Sequence, residues 1–537
     1  MSSHLQLHDV AYQLPHGERL FSNISGSFSS KVTALVGRNG VGKSLLAQIL
    51  SGGISPTSGF VQNSDTSFYL PQVYPITAIT TISDLLGITE ILKALSRIEA
   101  GSVDPADFAQ INDRWSIESD AIVLLARLSL SQYALSTFAH ELSGGEQMRI
   151  RVAAAFLSDK TTLILDEPSN HLDSCHKEKL WEMIMAWRGK VILITHDRAL
   201  LDRVETIVEL TPDNLIWFTG NFSAYQAMQS EAKKRVLERL SAIKQEEQKR
   251  LRTAQTQLER QQKRAASANR ARGNQNQAKI LMDAQKNRSD QTSGKMQRKY
   301  DRIKDAGKER IEVARNKIDQ SSSIVIHELA TAKHTRRIAA KLESIVLPFL
   351  EDEISPLSLT IEAGTKIAIV GNNGIGKSLL LKTIAGLIAP ISGGIERFVN
   401  TLYLDQHLMN LVPDQSLLVQ VSKGRTKEEI SEIRMQLSQL GLQAADIEKE
   451  SQFLSGGERL KSALALILYG KEPIDFLLLD EPNNHLDLEL MAALEEMLRQ
   501  YQGSLLVVSH DEVFLENIAI SHYLTQSDGQ WLLSSFS

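Results

Sequence analysis

Cysteine is nearly absent from this chain: Cys175 is the only one in 537 residues. A single thiol cannot close an internal disulfide, and it cannot build a Cys-rich zinc site or an iron–sulfur cluster. That fits a reducing compartment. Long apolar runs are missing as well. Stretches such as Ala463–Tyr469 and Phe476–Leu479 fall well short of the roughly 20 apolar residues that a membrane span requires. The opening residues, MSSHLQLHDV, lack a basic stretch followed by an apolar one, so no secretory leader is expected. These absences predict a cytoplasmic protein that does not cross a membrane by itself. Proline is absent from 221–334, and aromatic residues are scarce there.

What is present is ordinary globular material. Apolar residues make up 42% of the chain, and the length exceeds what one hydrophobic core serves, so two or three domains are expected. The net charge of −5 is unevenly spread. Between Glu231 and Gln320 there are 25 Lys+Arg against 12 Asp+Glu, an excess of 13 positive charges, which leaves −18 for the rest. A basic middle between acidic ends points to a polyanionic partner.

The chain repeats itself. LVGRNGVGKS at Leu35–Ser44 returns as IVGNNGIGKS at Ile369–Ser378, and LSGGE at Leu142–Glu146 returns at Leu454–Glu458. LILDEPSNHLD at Leu163–Asp173 returns as LLLDEPNNHLD at Leu477–Asp487, and ITHD at Ile194–Asp197 as VSHD at Val508–Asp511. Lys43 to Lys377 and Gln72 to Gln406 both span 334 residues, but Ser143 to Ser455 spans 312, so the first copy holds 22 extra residues. They fall within about 88–119, a stretch that contains the turn-forming GSVDPAD at Gly101–Asp107. Asp166 to Asp480 and His196 to His510 are both 314.

The expected division is therefore 1–222 for the first copy, 223–334 for a basic linker and 335–537 for the second copy. The linker has two stretches of helical rhythm, one on Val236, Leu240 and Ile243 and one on Tyr300, Ile303, Ile311, Ala314 and Ile318. We expect two helices, paired antiparallel as a coiled coil and joined by a basic tip at about 265–294, with Gly273 and Gly294 as breakers.

Each repeated motif carries a chemistry. The pattern GxxxxGK[ST] lies between an apolar run and a helical stretch, which is the strand–loop–helix of an α/β phosphate-binding fold. Its glycines let backbone N–H groups wrap phosphates, and the helix N-terminus adds positive potential. Lys43 and Lys377 are expected to reach the β- and γ-phosphates, and Ser44 and Ser378 to ligate Mg²⁺. The apolar runs ending in Asp-Glu deliver two carboxylates to the same edge. Asp166 and Asp480 are the expected magnesium partners, and Glu167 and Glu481 the general bases for the attacking water. A lone histidine after a strand is usually structural, but His196 and His510 both lie 30 residues beyond those aspartates. They are read as positioning the γ-phosphate and water. LSGGE opens a second phosphate-binding helix start in each copy. Two such sites in one domain are redundant, which makes sense if the copies face each other head to tail.

This motif set resembles the ABC ATPases over nearly all residues outside the linker. The resemblance implies ATP and Mg²⁺ held between the phosphate loop of one cassette and the signature of the other. Site one would use Gly37, Asn39, Gly40, Gly42, Lys43 and Ser44 with Gln72, Asp166, Glu167 and His196, facing Ser455, Gly456 and Gly457. Site two would use Gly371, Asn373, Gly374, Gly376, Lys377 and Ser378 with Gln406, Asp480, Glu481 and His510, facing Ser143, Gly144 and Gly145. Gln72 and Gln406 would join the serines and aspartates at the metal. Tyr12 is similar to the aromatic that stacks on adenine. The second copy has no clear counterpart, Phe349 being the candidate.

Within that family the chain looks like the ABC-F branch. It has two cassettes with no membrane segment, the EPxNHLD form in both, and a basic helical linker of about a hundred residues. The resemblance implies an ATPase that binds the ribosome, its rRNA and tRNA, in the ATP-closed state and modulates translation. The role would be relief of stalls or protection from antibiotics. The insertion stands where that branch carries an arm, and no DNA-binding coiled coil is expected after the second cassette. A monomer with an intramolecular cassette dimer is implied. The alternatives are the energy module of a membrane transporter, against which the long basic linker argues, and a DNA-associated ATPase.

Overall fold

The computed structural model describes residues 5–272 apart from 16, 18, 64–65, 73, 75–76 and 171, then 298, 301–302, 304–308 and 310, and finally 337–535 apart from 349–354, 373, 406–410, 440–441, 455, 471–473, 485 and 528. The chain divides into two compact units, Met1–Tyr225 with Ile324–Ser537, and Gln226–Ser323.

The first unit holds both repeats, which we call the first and second halves, and each is built on a six-stranded sheet. In spatial order the first half runs Ser67–Leu70, Thr162–Asp166, Lys190–Ile194, Val32–Val36, Thr206–Leu210 and Leu215–Thr219. The second half repeats the order as Thr401–Leu404, Phe476–Asp480, Ser504–Val508, Lys366–Val370, His522–Ser527 and Gln530–Ser535. All pairings are parallel except that of the last strand in each sheet. Parallel strands covered on both faces read as unbroken apolar runs, and that is why LILD and LLLD show no alternation. Leu163 and Leu165 enter one core while Ile164, between them, enters the core on the opposite face. Ile367 and Ile369 likewise face away from Ala368.

One of those faces is covered by a three-stranded antiparallel sheet in each half. It consists of Arg19–Phe28, Leu5–Gln13 and Ser58–Asn63 in the first, and Leu357–Glu362, Ile338–Val346 and Ser392–Arg397 in the second. The other face carries helices. In the first half these include Thr89–Glu99, Pro105–Ile111 and Ile117–Arg127. The first two are joined by Asp107, which accepts from Arg97 at 2.5 Å and from Ser102 at 2.7 Å. The GSVDPAD segment is partly helix: Asp104 caps Pro105–Ile111 by accepting from the Ala106 N–H, with proline at the tolerated first position.

The helix Phe222–Arg272 runs for 51 residues, all but the first four of them in the second unit. It continues through Arg272, so 265–272, expected to belong to the tip, is helical. Ala265, Ala266, Ala268 and Ala271 with their arginines are strong helix formers. Glu247 is buried and accepts from Arg250 and Arg310, both at 3.1 Å, so residues 63 apart in sequence meet. The remainder of the expected tip, 273–294, lies outside the described residues.

Candidate functional site

Each phosphate loop leaves a central strand, buried throughout in the first half and up to Val370 in the second, and enters a helix, Lys43–Leu50 and Lys377–Ala385 respectively. Gly42 and Gly376 cap these helices with φ of 100° and 88°, backbone that side-chain-bearing residues rarely adopt. Space is also short at Gly42, where a Cβ would come within 2.9 Å of the Phe21 ring. Lys43 Nζ donates to the Gly37 and Arg38 carbonyls at 2.7 and 3.1 Å, and Lys377 Nζ to those of Gly371 and Asn372 at 2.7 and 2.8 Å. Burial pulls the pKa of both lysines down, against nearby carboxylates. One of those carboxylates comes from the opposite half in each case: Asp487 for Lys43 and Asp173 for Lys377.

Asp480 accepts from Ser378 Oγ at 2.9 Å and from the Tyr403 hydroxyl at 3.1 Å. Asp166 is held by Ser44 and by the Tyr69 hydroxyl, the latter at 3.1 Å. Burial pushes both aspartates up, and these hydrogen bonds pull them down. Serine and aspartate oxygens are hard donors of the kind magnesium takes together with phosphates and water. The residues present therefore fit that ion. Gln72 stands at the end of the strand Ser67–Leu70, beyond Pro71, whose carbonyl accepts from Arg151.

Glu167 and Glu481 follow at the strand ends, and each has a left-handed backbone, φ 51° and 48°. Their N–H groups extend the parallel pairing, donating to Ile194 at 2.8 Å and Val508 at 3.0 Å. Burial, then Asp166, raises the Glu167 carboxyl to about 8. Burial raises Glu481 to about 7, with Lys377 and Lys177 opposing. The two histidines face them, His196 Nε2 at 3.8 Å from Glu167 and His510 Nε2 at 3.5 Å from Glu481. Burial, then a nearby lysine, lowers these imidazoles to about 3 and about 4, so both are neutral at physiological pH. Hydroxyl and amide contacts tie the loop after each glutamate to the histidine strand: Ser169 to Thr195 at 3.4 Å, and Ser509 to Asn483 at 3.1 Å.

Ser143 caps the helix Gly144–Leu157 in a reciprocal arrangement with Glu146. It opens onto a cavity of about 750 Å³. Ser143, Gly144 and Gly145 line one wall, and Gly374, Gly376, Lys377, Ser378, Glu481 and His510 of the other half line the opposite one. The reciprocal edge is drawn together by contacts of its own. The Asn39 N–H donates to Asp487 Oδ2 at 3.0 Å, and Arg38 lies 3.6 Å from Glu489. The helix Gly456–Tyr469 opens with Gly456 and Gly457, and its Lys461 interacts electrostatically with Arg38, Asp487 and Glu489. Tyr12 is half-buried, 6.3 Å from Phe21, the ring that lies against Gly42. Asn373, Gln406, Ser455 and Phe349 lie outside the described residues.

Sequence reasoning missed three groups. Tyr69 and Tyr403 each stand three residues before a glutamine at the common spacing of 334, a repeated signal that went unread. Asp173 and Asp487 are the last residues of the NHLD runs: Asp487 accepts from Asn39 of the opposite phosphate loop, and Asp173 acts on the charge of Lys377 across the halves. Lys177 occurs in one copy only, so no repeat announced it.

A family described as "ABC transporter" matches residues 21–170 and 354–484. Over 532 residues the chain is 30% identical to "Probable ATP-binding protein YheS" of Escherichia coli K12, covering 95% of this chain and 77% of that one. It is 28% identical over 534 residues to "Ribosome protection protein VmlR" of Bacillus subtilis, covering 98% and 88%. Among solved structures, an archaeal ribosome recycling factor, aABCE1, crystallised with the ribosomal stalk protein aP1, superposes with a TM-score of 0.56 at 18% identity. That likeness covers 98% of this chain and 90% of that one, and it speaks to the fold.

Proposed function

The chain belongs to the ATP-binding cassette family, in its ABC-F branch, and from that premise we propose that it hydrolyses ATP at two composite sites between its halves and engages the ribosome when ATP holds them together. The observation that carries the ATPase reading is the cavity in which Ser143–Gly145 face Lys377, Ser378, Glu481 and His510 across the halves. The signature helix and the phosphate loop each offer N–H groups to phosphate oxygens. Lys377 swings from its loop carbonyls to the β- and γ-phosphates. Ser378 and Asp480 would hold magnesium, with Gln406 beside them, and the ion supplies charge neutralisation on the phosphates. Glu481 takes a proton from the water that attacks the γ-phosphorus as the bond to the ADP oxygen breaks, and His510 orients that water. ADP and phosphate leave. Lys43, Ser44, Gln72, Asp166, Glu167 and His196 perform the same steps opposite Ser455–Gly457, and Tyr12 stacks on the adenine there.

The ribosome reading rests on the linker and on kinship. A net of 13 positive charges over 231–320 suits an RNA backbone, which basic side chains bind by releasing counterions. A similar protein bears the name ribosome protection protein, which supports action on translation, by drug displacement or by stall relief. No helix among the described residues is long and apolar enough to cross a membrane, and we place the protein in the cytoplasm.

The test is sedimentation of the Glu167→Gln/Glu481→Gln protein with purified ribosomes across a salt series. ATP-dependent, salt-sensitive co-sedimentation is expected. Its absence under every condition would remove the ribosome from the proposal and bring DNA or a protein partner forward.

A further inference from the structure

The two halves repeat each other motif by motif, but the helices that follow their NHLD runs differ at one charged position. Lys177, on the helix Ser174–Ala186, corresponds by the common spacing of 314 to Met491 on the helix Leu488–Gln500. Lys177 lines the cavity along the seam that holds Lys377, Glu481 and His510, and that Glu167, His196 and Met491 also reach. It lies 2.8 Å from Asp197 Oδ2, and both side chains are largely enclosed, 18% and 11% exposed. Burial works against its charge, but Asp197, Asp511 and Glu481 outweigh it, so its pKa is raised. Asp511 and Glu481 belong to the opposite half. Lys177 is therefore a cation that acts on carboxylates of both halves, joined by Lys377 at Glu481 and by Arg198 at Asp511.

A second contact at the same seam is also one-sided. Arg198, next to Asp197, meets Glu495 of the other half at 2.5 Å, both buried, and Glu495 also accepts from Asn517 at 3.0 Å. By the same spacing their counterparts are Glu512 and Trp181, which cannot form an ion pair. The loop after His196 is thus tied down by charge in a way that the loop after His510 is not.

Resting on the ATPase reading above, we propose that Lys177 is a positioning residue of the Lys377 site alone. Anchored on Asp197 of its own half, it holds Glu481 and Asp511 of the other half in place for hydrolysis, and Met491 gives the Lys43 site no equivalent. The two carboxylates that follow His196 and His510, Asp197 and Asp511, line the same cavity and repel one another, the more so where solvent is scarce. Lys177, paired with Asp197 at 2.8 Å, offsets that repulsion together with Arg198, and it also acts on Glu481. The two ATP sites are then unequal in chemistry, although their motifs are the same.

The experiment measures phosphate release from Mg-ATP in two backgrounds of the full chain. Glu167→Gln leaves the Lys377 site active, and Glu481→Gln leaves the Lys43 site active. Lys177→Met in the first background is expected to lower kcat about tenfold with KM changed by less than about twofold. The loss should exceed that in the second background by at least about fivefold, and Lys177→Arg should recover most of it. Equal losses in the two backgrounds, no loss in either, or a rise in KM alone would overturn the proposal. Turnover surviving in the Glu167→Gln/Glu481→Gln double variant would instead overturn the site assignment on which it rests, and the same assay reads it.

Discussion

Asp487 serves two backbones at once: its Oδ2 accepts from the Asn39 N–H of the opposite half at 3.0 Å, and its Oδ1 accepts from Leu490 N–H at 2.9 Å. The second bond caps the helix Leu488–Gln500. Asp487→Ala removes both, and loss of the cap alone costs about 1 kcal/mol. The melting temperature should fall and turnover with it. Asp487→Asn keeps a capping oxygen, so it should melt close to wild type while turnover drops. Thermal melts run beside an ATPase assay separate the two effects, and equal melting of all three proteins would show that the cap contributes nothing.

Stability without nucleotide should carry the signature of the two buried glutamates. Their carboxyls ionise near 4.5 when unfolded and near 8 and 7 in the folded protein. The folded state therefore favours the protonated form, and this contribution is fully present below about pH 4.5 and is lost as pH rises through 7 and then 8. The Glu167→Gln/Glu481→Gln protein does not titrate there. Its advantage over wild type should grow between about pH 5 and 9 to the order of a few kcal/mol, then level off. Urea unfolding at three pH values would show it, and a gap independent of pH would sink the argument.

Tyr403→Phe deletes the hydroxyl that orients Asp480 and leaves its ring in place. Partners behind a metal ligand commonly govern metal affinity by 10–100-fold. Turnover by Tyr403→Phe should need about tenfold more magnesium for half-maximal rate and recover at saturation. A curve that overlies wild type would show that Ser378 alone suffices.

Glu247 is the buried partner of two arginines that are themselves about half exposed. Replacing it by leucine exchanges a screened ion pair for packing, so stability should move by less than about 1 kcal/mol. Glu247→Lys sets three cations together and should open this contact. Limited proteolysis of the linker would read the difference as faster cleavage in Glu247→Lys only.

Much of this architecture could be read from the sequence because its motifs are short, local and duplicated. The phosphate loops, the Asp-Glu strand ends and the two histidines all sit within a few residues of an unmistakable apolar run. The redundancy of LSGGE, a physical oddity rather than a pattern, points to head-to-tail facing, and Ser143–Gly145 share a cavity with Lys377. Tyr69 and Tyr403 escape because a tyrosine in a strand is ordinarily core material, and only the hydroxyl contact to the aspartate gives it a purpose. Glu247 continues the stripe Val236, Leu240, Ile243 by one more step of four. It was passed over because a charge at such a place reads as surface until its arginines are seen. Lys177 and Arg198 had no repeat to flag them. Asymmetry between two copies is invisible to reasoning that seeks what they share.

The left-handed backbone at Glu167 and Glu481 carries a hereditary cost. A residue with a side chain is under strain there of roughly 1–3 kcal/mol, and glycine would be relaxed. A copy of this gene released from the duty to hydrolyse would thus gain robustness by losing its acid at those two codons.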